Sequence, residues 1–305
     1  MAIDRRSFIK KTLGTMTAAT FLGSRFSFAA QHRAEKIGVQ LYTVRDAMQS
    51  DMDGTLAKVA AIGYKEVELA GFAMDDGKVS YFKQSPQDLR AALDRHGLSA
   101  VSTHVNFKCL SAENFPKVID ASKTLGHKYI INPWIDDEIR TKADGWKQAA
   151  VVFNQAGEAS KKAGMQFGYH NHWFEWMAVD GKLPYDILLQ ETDANLVKME
   201  MDICWIVIAG QDPVKYFEKY PGRFPLVHVK DMKKLPKVDA SGKQDFGDTL
   251  EDDMTEVGSG VIDWKRILSH ADQAGIRHYF VEHDKPRDGF ASIKTSYQYM
   301  QNLKF

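Results

Sequence analysis

From Lys36 onward the chain repeats one alternation: a short run rich in β-branched and aromatic residues, then a longer stretch with helical spacing. The short runs read KIGVQLYTV, YKEVELAGF, LSAVSTHVNF, KYIINPW, MQFGYHNH, NLVKMEMDICW, FPLVHVKD and RHYFVEHD. Between them lie stretches such as TLAKVAAIG, SPQDLRAALDRHG, ENFPKVIDASKTLG and GWKQAAVVFNQAGEASKKAG. Gly63, Gly97, Gly126, Gly164 and Gly275 stand where helices would end. Strands joined through helices pair in parallel, because the helix carries the chain back to the end it started from. Eight such units over roughly 270 residues predict a closed (β/α)8 TIM barrel in a single domain, residues 30–305. The alternative, an open doubly wound sheet, usually carries a glycine-rich phosphate loop after an early strand. No G-x-G-x-x-G occurs here.

Within each short run the residues alternate in character, as they must when successive side chains point to opposite faces of a strand. Val67 and Leu69, Val101 and Thr103, Phe167 and Tyr169, Val197, Met199 and Met201, Val227 and Val229, Tyr279 and Val281 form the face expected to pack on helices. The opposite face carries Glu66 and Glu68, Ser102 and His104, His170 and His172, Glu200 and Asp202, His228 and Lys230, and Glu282. A barrel interior is normally filled with branched aliphatic side chains. Buried carboxylates are costly unless they are paired or bound to a cation. Polar interior positions gathered toward the C-terminal ends of the strands therefore predict an active site at that mouth.

The inward residues at the ends of strands five to eight are His170, Asp202, His228 and Glu282. Imidazoles and carboxylates converging on one point suit a single divalent cation, Mn2+, Co2+, Zn2+ or Mg2+. His170 is the member that His172 or Glu175 can replace. His104, Lys230 and Glu282 are the candidate proton-handling groups. Trp134, Trp173, Trp176 and Trp205 fall at or just after strand ends four to six, where indole faces can stack on sugar rings. Trp134, Trp173 and Trp205, with His172 and Glu175 from the same loop as Trp173, are the expected substrate contacts.

Taken together, GVQLYTVRD, GYKEVELAG, FGYHNHWFEW, VKMEMDICW, PLVHVKDM, EVGSGVIDW and YFVEHD resemble the xylose isomerase-like TIM-barrel family, often labelled sugar phosphate isomerase/epimerase. The resemblance runs from about residue 36 to the end, with the motifs in the family's order. It implies a (β/α)8 barrel with a divalent metal at its C-terminal mouth, and it places the family's ligands on Asp202, His228 and Glu282. One departure bears on mechanism. Ketose 3-epimerases of this superfamily use a strand-five glutamate both as ligand and as one of two opposed acid/base groups. That position here is His170 by strand phase, or Tyr169 by ungapped alignment. A one-base reaction fits as well as a symmetrical epimerisation.

The expected chemistry is abstraction of a proton α to a metal-bound carbonyl. Reprotonation gives a sugar isomerase or epimerase, the first expectation. Loss of a β-substituent gives a lyase or hydratase, as in family members acting on 3-keto-glycosides. A non-catalytic carbohydrate-binding barrel is a third reading. A metal-dependent nuclease on the same barrel would need a basic surface, and 40 basic against 40 acidic residues give a formal net charge of +0. The expected partner is a small saccharide or glycoside, with no nucleic acid, and a homo-oligomer is compatible with the sequence. EVGSGVIDW is the nearest thing to a phosphate cradle, and a weak one. The two cysteines, Cys109 and Cys204, form neither a disulfide framework nor a zinc motif.

The first thirty residues differ from the rest. MAIDRRSFIKK is followed by a modest apolar stretch from Leu13 to Leu22 and then by Ser27-Phe28-Ala29. RRSFIK resembles a twin-arginine export signal. The apolar run is too short and too polar for stable insertion in a bilayer. Residues 1–29 are thus expected to be removed, leaving a mature protein in the periplasm. Export also argues for an unphosphorylated substrate.

Overall fold

The computed structural model describes residues 32–236 and 250–305. Eight parallel strands close into a barrel and follow one another around it in chain order. They are β1 (Ile37–Gln40), β2 (Glu66–Leu69), β3 (Ser99–His104), β4 (Tyr129–Asn132), β5 (Gln166–His170), β6 (Val197–Asp202), β7 (Leu226–Val229) and β8 (His278–Val281). Two antiparallel hairpins, Phe72–Asp75 with Lys78–Tyr81 and Asp231–Met232 with Met254–Thr255, extend from the mouth after β2 and β7. The anticipated export signal lies outside the described residues. Among those described, no helix is long and apolar enough to cross a membrane.

Local sequence explains where the connecting helices begin and end. Ser85 caps the helix Pro86–Arg95 by accepting the Asp88 N–H at 3.1 Å, and proline at the first position gives up no backbone bond. Gly126 and Gly275 end their helices in the left-handed conformation, at φ 77° and 84°, which costs glycine nothing.

The strand faces separate as their chemistry requires. Phe167, Tyr169, Val197, Met199, Met201, Val227, Val229 and Val281 belong to the large core between barrel and helices. Inside the barrel, Val101, Ile131, Leu226 and Phe280 form a small apolar plug. Gly168 makes room for it, since a Cβ there would stand 2.6 Å from Ile131 Cδ1. One strand departs from simple alternation. β3 pairs Ala100 with Val67 but Ser102 with Glu68, so Val101 is the extra residue of a bulge. It was expected outside; the bulge turns it into the plug and keeps Ser102 and His104 on the polar interior face.

Candidate active site

Above the plug the barrel interior becomes polar, in two levels. The inner level holds Glu68 and Glu200, both fully buried, with His104, His170 and His228 around them. His104 Nε2 lies 3.1 Å from Glu68 Oε2 and 2.9 Å from Glu200 Oε2. His228 Nε2 lies 2.6 Å from Glu68 Oε2 and 3.3 Å from Glu200 Oε2. His170 Nδ1 lies 3.2 Å from Glu200 Oε2. Burial opposes charge on His104, but the two carboxylates more than offset it and lift its pKa to about 9.

The outer level holds Asp202, Glu282, Lys230 and Asp284. His228 reaches it through its other nitrogen, with Nδ1 2.8 Å from Glu282 Oε2. His170 Nε2 points the same way, 3.7 Å from Asp202 Oδ2. Lys230 Nζ lies 2.9 Å from Asp202 Oδ2, 2.7 Å from Glu282 Oε2 and 3.1 Å from Asp284 Oδ2. Burial disfavours the ammonium, yet Asp202, Asp284 and Glu282 hold its pKa well above the ordinary lysine value. Burial lifts Asp284 to about 7 against the pull of Lys230.

The run FGYHNHWFEW is divided among several tasks. Tyr169 points into the outer core and donates its hydroxyl to Glu175, whose other oxygen accepts the His172 N–H at 2.8 Å. His170 points inward. Asn171 clamps β5 to β6, accepting the Asp202 N–H at 3.1 Å and donating to the Asp202 carbonyl at 3.3 Å. Asp202 Oδ1 caps the helix Ile203–Ile208 through the Trp205 N–H, leaving Oδ2 to the Lys230 ammonium. Glu175 is fully buried beneath the loop and does not line the mouth, so it anchors the loop instead of contacting a ligand. Burial raises its pKa to about 8.

A cavity of about 430 Å³ opens over the outer level. His104, His170, His172, Lys230, Glu282, Asp284, Trp134, Trp173 and Trp205 all line it. Trp134 is 38% exposed, and the Arg140 guanidinium lies 4.5 Å from its ring centre. Trp205 presents only an edge, being 2% exposed. Trp176, expected at the rim, packs against Tyr185 and Tyr216 at ring separations of 4.3 and 5.0 Å, behind the loop. The glycine-rich stretch after β7 is not free to cradle a phosphate. Asp231 already takes the N–H groups of Gly258 (3.0 Å), Gly260 (3.3 Å) and Ile262 (3.2 Å), and the Trp264 indole N–H at 2.9 Å. Asn171, Asp231 and Asp284 escaped the sequence reading. Glu68 and Glu200 were seen to face inward but were given no role.

The donor set fits a divalent cation. Ligand atoms of Asp202, His228 and Glu282 lie within 4.8 Å of one another. Asp202 Oδ2 is buried and is met at hydrogen-bonding distance by the Lys230 ammonium alone, at 2.9 Å, which leaves it coordination capacity for a cation. Asp202, Glu282 and Asp284 share one lysine, and Glu68 and Glu200 meet only histidines as charge partners, so negative charge is left over unless a cation, protonated imidazoles or protonated carboxyls balance it.

A parallel eight-stranded barrel with a histidine–carboxylate cluster at its C-terminal mouth defines a TIM-barrel protein. The chain belongs to the xylose isomerase-like TIM barrel family, whose profile matches residues 56–303. It is 26% identical over 241 residues to an inosose dehydratase of Geobacillus thermodenitrificans, covering 71% of this chain and 78% of that one. An inosose dehydratase of Lacticaseibacillus casei is 28% identical over 143 residues, 46% of this chain and 47% of that protein, so the match spans about half of that relative's length. Among solved structures, a sugar phosphate isomerase/epimerase of Parabacteroides distasonis superposes with a TM-score of 0.73 at 28% identity, covering 88% of this chain and 94% of that one.

Proposed function

We propose that the protein is a cation-assisted lyase acting on an unphosphorylated keto-sugar or keto-cyclitol. It removes a proton α to the carbonyl and expels the β-oxygen substituent as water or an alcohol. The observation that carries this reading is the cavity that Glu282, Lys230, His104 and Trp134 line together, with Asp202 and His228 buried directly behind Glu282 and Lys230 as the rest of the donor set. The donor set would hold one divalent cation, with His170 beside it, and that cation would supply Lewis acidity toward a carbonyl and its neighbouring hydroxyl.

The chain's own residues divide the remaining work. His104 takes the α-proton from its neutral form, and the Glu68 and Glu200 carboxylates that lift its pKa to about 9 stabilise the imidazolium that results, so turnover rises with pH toward that value. Lys230 faces the charge that builds on the carbonyl oxygen and carries a proton for the departing oxygen. Asp284 holds Lys230 in place at 3.1 Å. The α C–H pair becomes the new double bond as the β C–O bond breaks, so no oxidant or reductant is needed.

Elimination is favoured over epimerisation because no second carboxylate faces the cavity from the end of β5. His170 occupies that place, and Glu175 is sealed beneath the loop. The dehydratase names of the relatives support the same outcome. The phosphate-free substrate is supported by Asp231 taking the N–H groups that a phosphate would need. The test is incubation of Mg2+-loaded protein with an inosose, a free ketose and a 3-keto-glucoside, with products read by mass spectrometry. An unsaturated ketone lighter by one water or one alcohol is expected. Conversion to an isomer of unchanged mass would overturn elimination in favour of isomerisation, and turnover of phosphorylated sugars alone would overturn the substrate class.

A further inference from the structure

A histidine that binds a metal through one ring nitrogen carries its proton on the other, and the partner of that N–H decides which nitrogen is bare. Two of the inward histidines, His228 and His170, lie between two sets of carboxylates. His228 has Glu282 Oε2 2.8 Å from Nδ1 and Glu68 Oε2 2.6 Å from Nε2. His170 has Asp202 Oδ2 3.7 Å from Nε2 and Glu200 Oε2 3.2 Å from Nδ1. The outer pair, Asp202 and Glu282, belongs to the proposed cation site. The inner pair, Glu68 and Glu200, has a part so far only beside His104.

Glu68 is fixed by groups outside the histidine cluster, while Glu200 is held by its burial and by the histidines themselves. Both side chains are fully buried. Glu68 accepts Gln40 Nε2–H at 2.8 Å on Oε2 and the Ser102 hydroxyl on Oε1. Glu200 Oε2 is met by His104 Nε2 at 2.9 Å as well as by His170, while its Oε1 has no partner. Ser102 reaches Glu68 only because the β3 bulge returns it to the inner face. A carboxylate fixed in this way accepts an N–H and can offer none when ionised.

We propose that Glu68 and Glu200 are positioning residues: they hold the protons of His228 and His170 on the inner nitrogens, leaving His228 Nδ1 and His170 Nε2 bare toward Asp202 and Glu282. The inference rests on the reading of the outer level as a cation site. A competing arrangement would place a second cation among His104, His170, Glu200 and His228, whose ligand atoms also lie within 4.8 Å of one another. It would require His170 and His228 to be bare on both nitrogens at once, which means deprotonating imidazole to its anion. The positioning role needs no such step.

The test measures Zn2+ affinity by competition with a chromophoric chelator in the wild type, Glu68→Gln, Glu200→Gln and Ser102→Ala. It is combined with nitrogen-15 NMR of the histidine rings in the Zn2+-loaded wild type. The glutamine variants should bind zinc about 10–100-fold more weakly, the usual scale for loss of an outer-shell partner, with unchanged circular dichroism. Ser102→Ala should weaken binding less. The NMR should find the His228 proton on Nε2 and the His170 proton on Nδ1. Folded glutamine variants with wild-type affinity would overturn the proposal, as would a proton on His228 Nδ1 or a second zinc ion per chain. If the glutamine variants do not fold, the wild-type ring protonation and Ser102→Ala decide. A wild type that binds no zinc overturns the cation site itself and this proposal with it, an outcome distinct from the failures above.

Discussion

At Lys230 the ammonium stands 2.9 Å from Asp202, 2.7 Å from Glu282 and 3.1 Å from Asp284, so it shares oxygens with any cation bound there. Removing it leaves three buried carboxylates without their fixed counter-charge. Lys230→Met should therefore bind Mn2+ at least as tightly as the wild type, while kcat falls by about 10²-fold or more because the developing oxyanion loses its donor. Manganese titration beside turnover checks this, and weaker binding in the variant would contradict it. Glu175 supports a prediction about stability. Burial lifts its folded pKa to about 8, against an ordinary value of 4.5. Between those values the folded protein keeps a proton that the unfolded chain has released. Rising pH therefore favours unfolding, and stability falls across that window. Glu175→Gln mimics the neutral carboxyl and can still meet both Tyr169 and the His172 N–H. Its melting temperature should decline less with pH than that of the wild type, and equal slopes would refute the protonated state.

At the scale of the element, β5 meets β4 closely. Gly168→Ala would bring a methyl to 2.6 Å from Ile131 Cδ1. It should cost about 1–3 kcal/mol in urea denaturation, the range for overpacking a core, and Ile131→Val should restore part of that. Additive effects of the two changes would contradict the contact. The strands were the readable part of this molecule, because a two-residue period with opposite chemistry on the two faces needs no tertiary information. Asp202, His228, Lys230 and Glu282 could be placed on the inner face for that reason. Val101 could not, because the bulge depends on pairing with β2. Glu68 and Glu200 were seen to face inward, but periodicity fixes the face and not the depth along the barrel, which follows from strand stagger. Beyond the strand ends no period governs the chain. Trp176 and Glu175 turned away from the mouth in a loop whose path is set by their own contacts with Tyr185 and Tyr169. Asp231 likewise had no sequence signal for its hold on EVGSGVIDW, because its partners lie 27 to 33 residues away.

At the scale of the whole molecule, the barrel is layered along its axis. Nearest the N-terminal ends Glu66 and His278 pair at 2.6 Å, the plug of Val101, Ile131, Leu226 and Phe280 and then the Glu68–Glu200 level follow, and Lys230 and Glu282 reach the cavity. The apolar plug holds the strands together and separates the Glu66–His278 pair from the larger polar cluster at the C-terminal mouth. We further propose that the folded protein is exported by the twin-arginine route, on the motif RRSFIK. Replacing Arg5 and Arg6 together by lysine should leave precursor in the cytoplasm on cell fractionation, and unchanged export would reject the route. The central claim is that proton abstraction next to a carbonyl opens the reaction. Proton NMR of an inosose or 3-keto-glucoside turned over by Mg2+-loaded protein in D2O tests it most directly. The account predicts a primary isotope effect when the α-carbon carries deuterium, and a new vinylic signal as the β-substituent leaves. Turnover with no isotope effect and no solvent exchange at that carbon would contradict it.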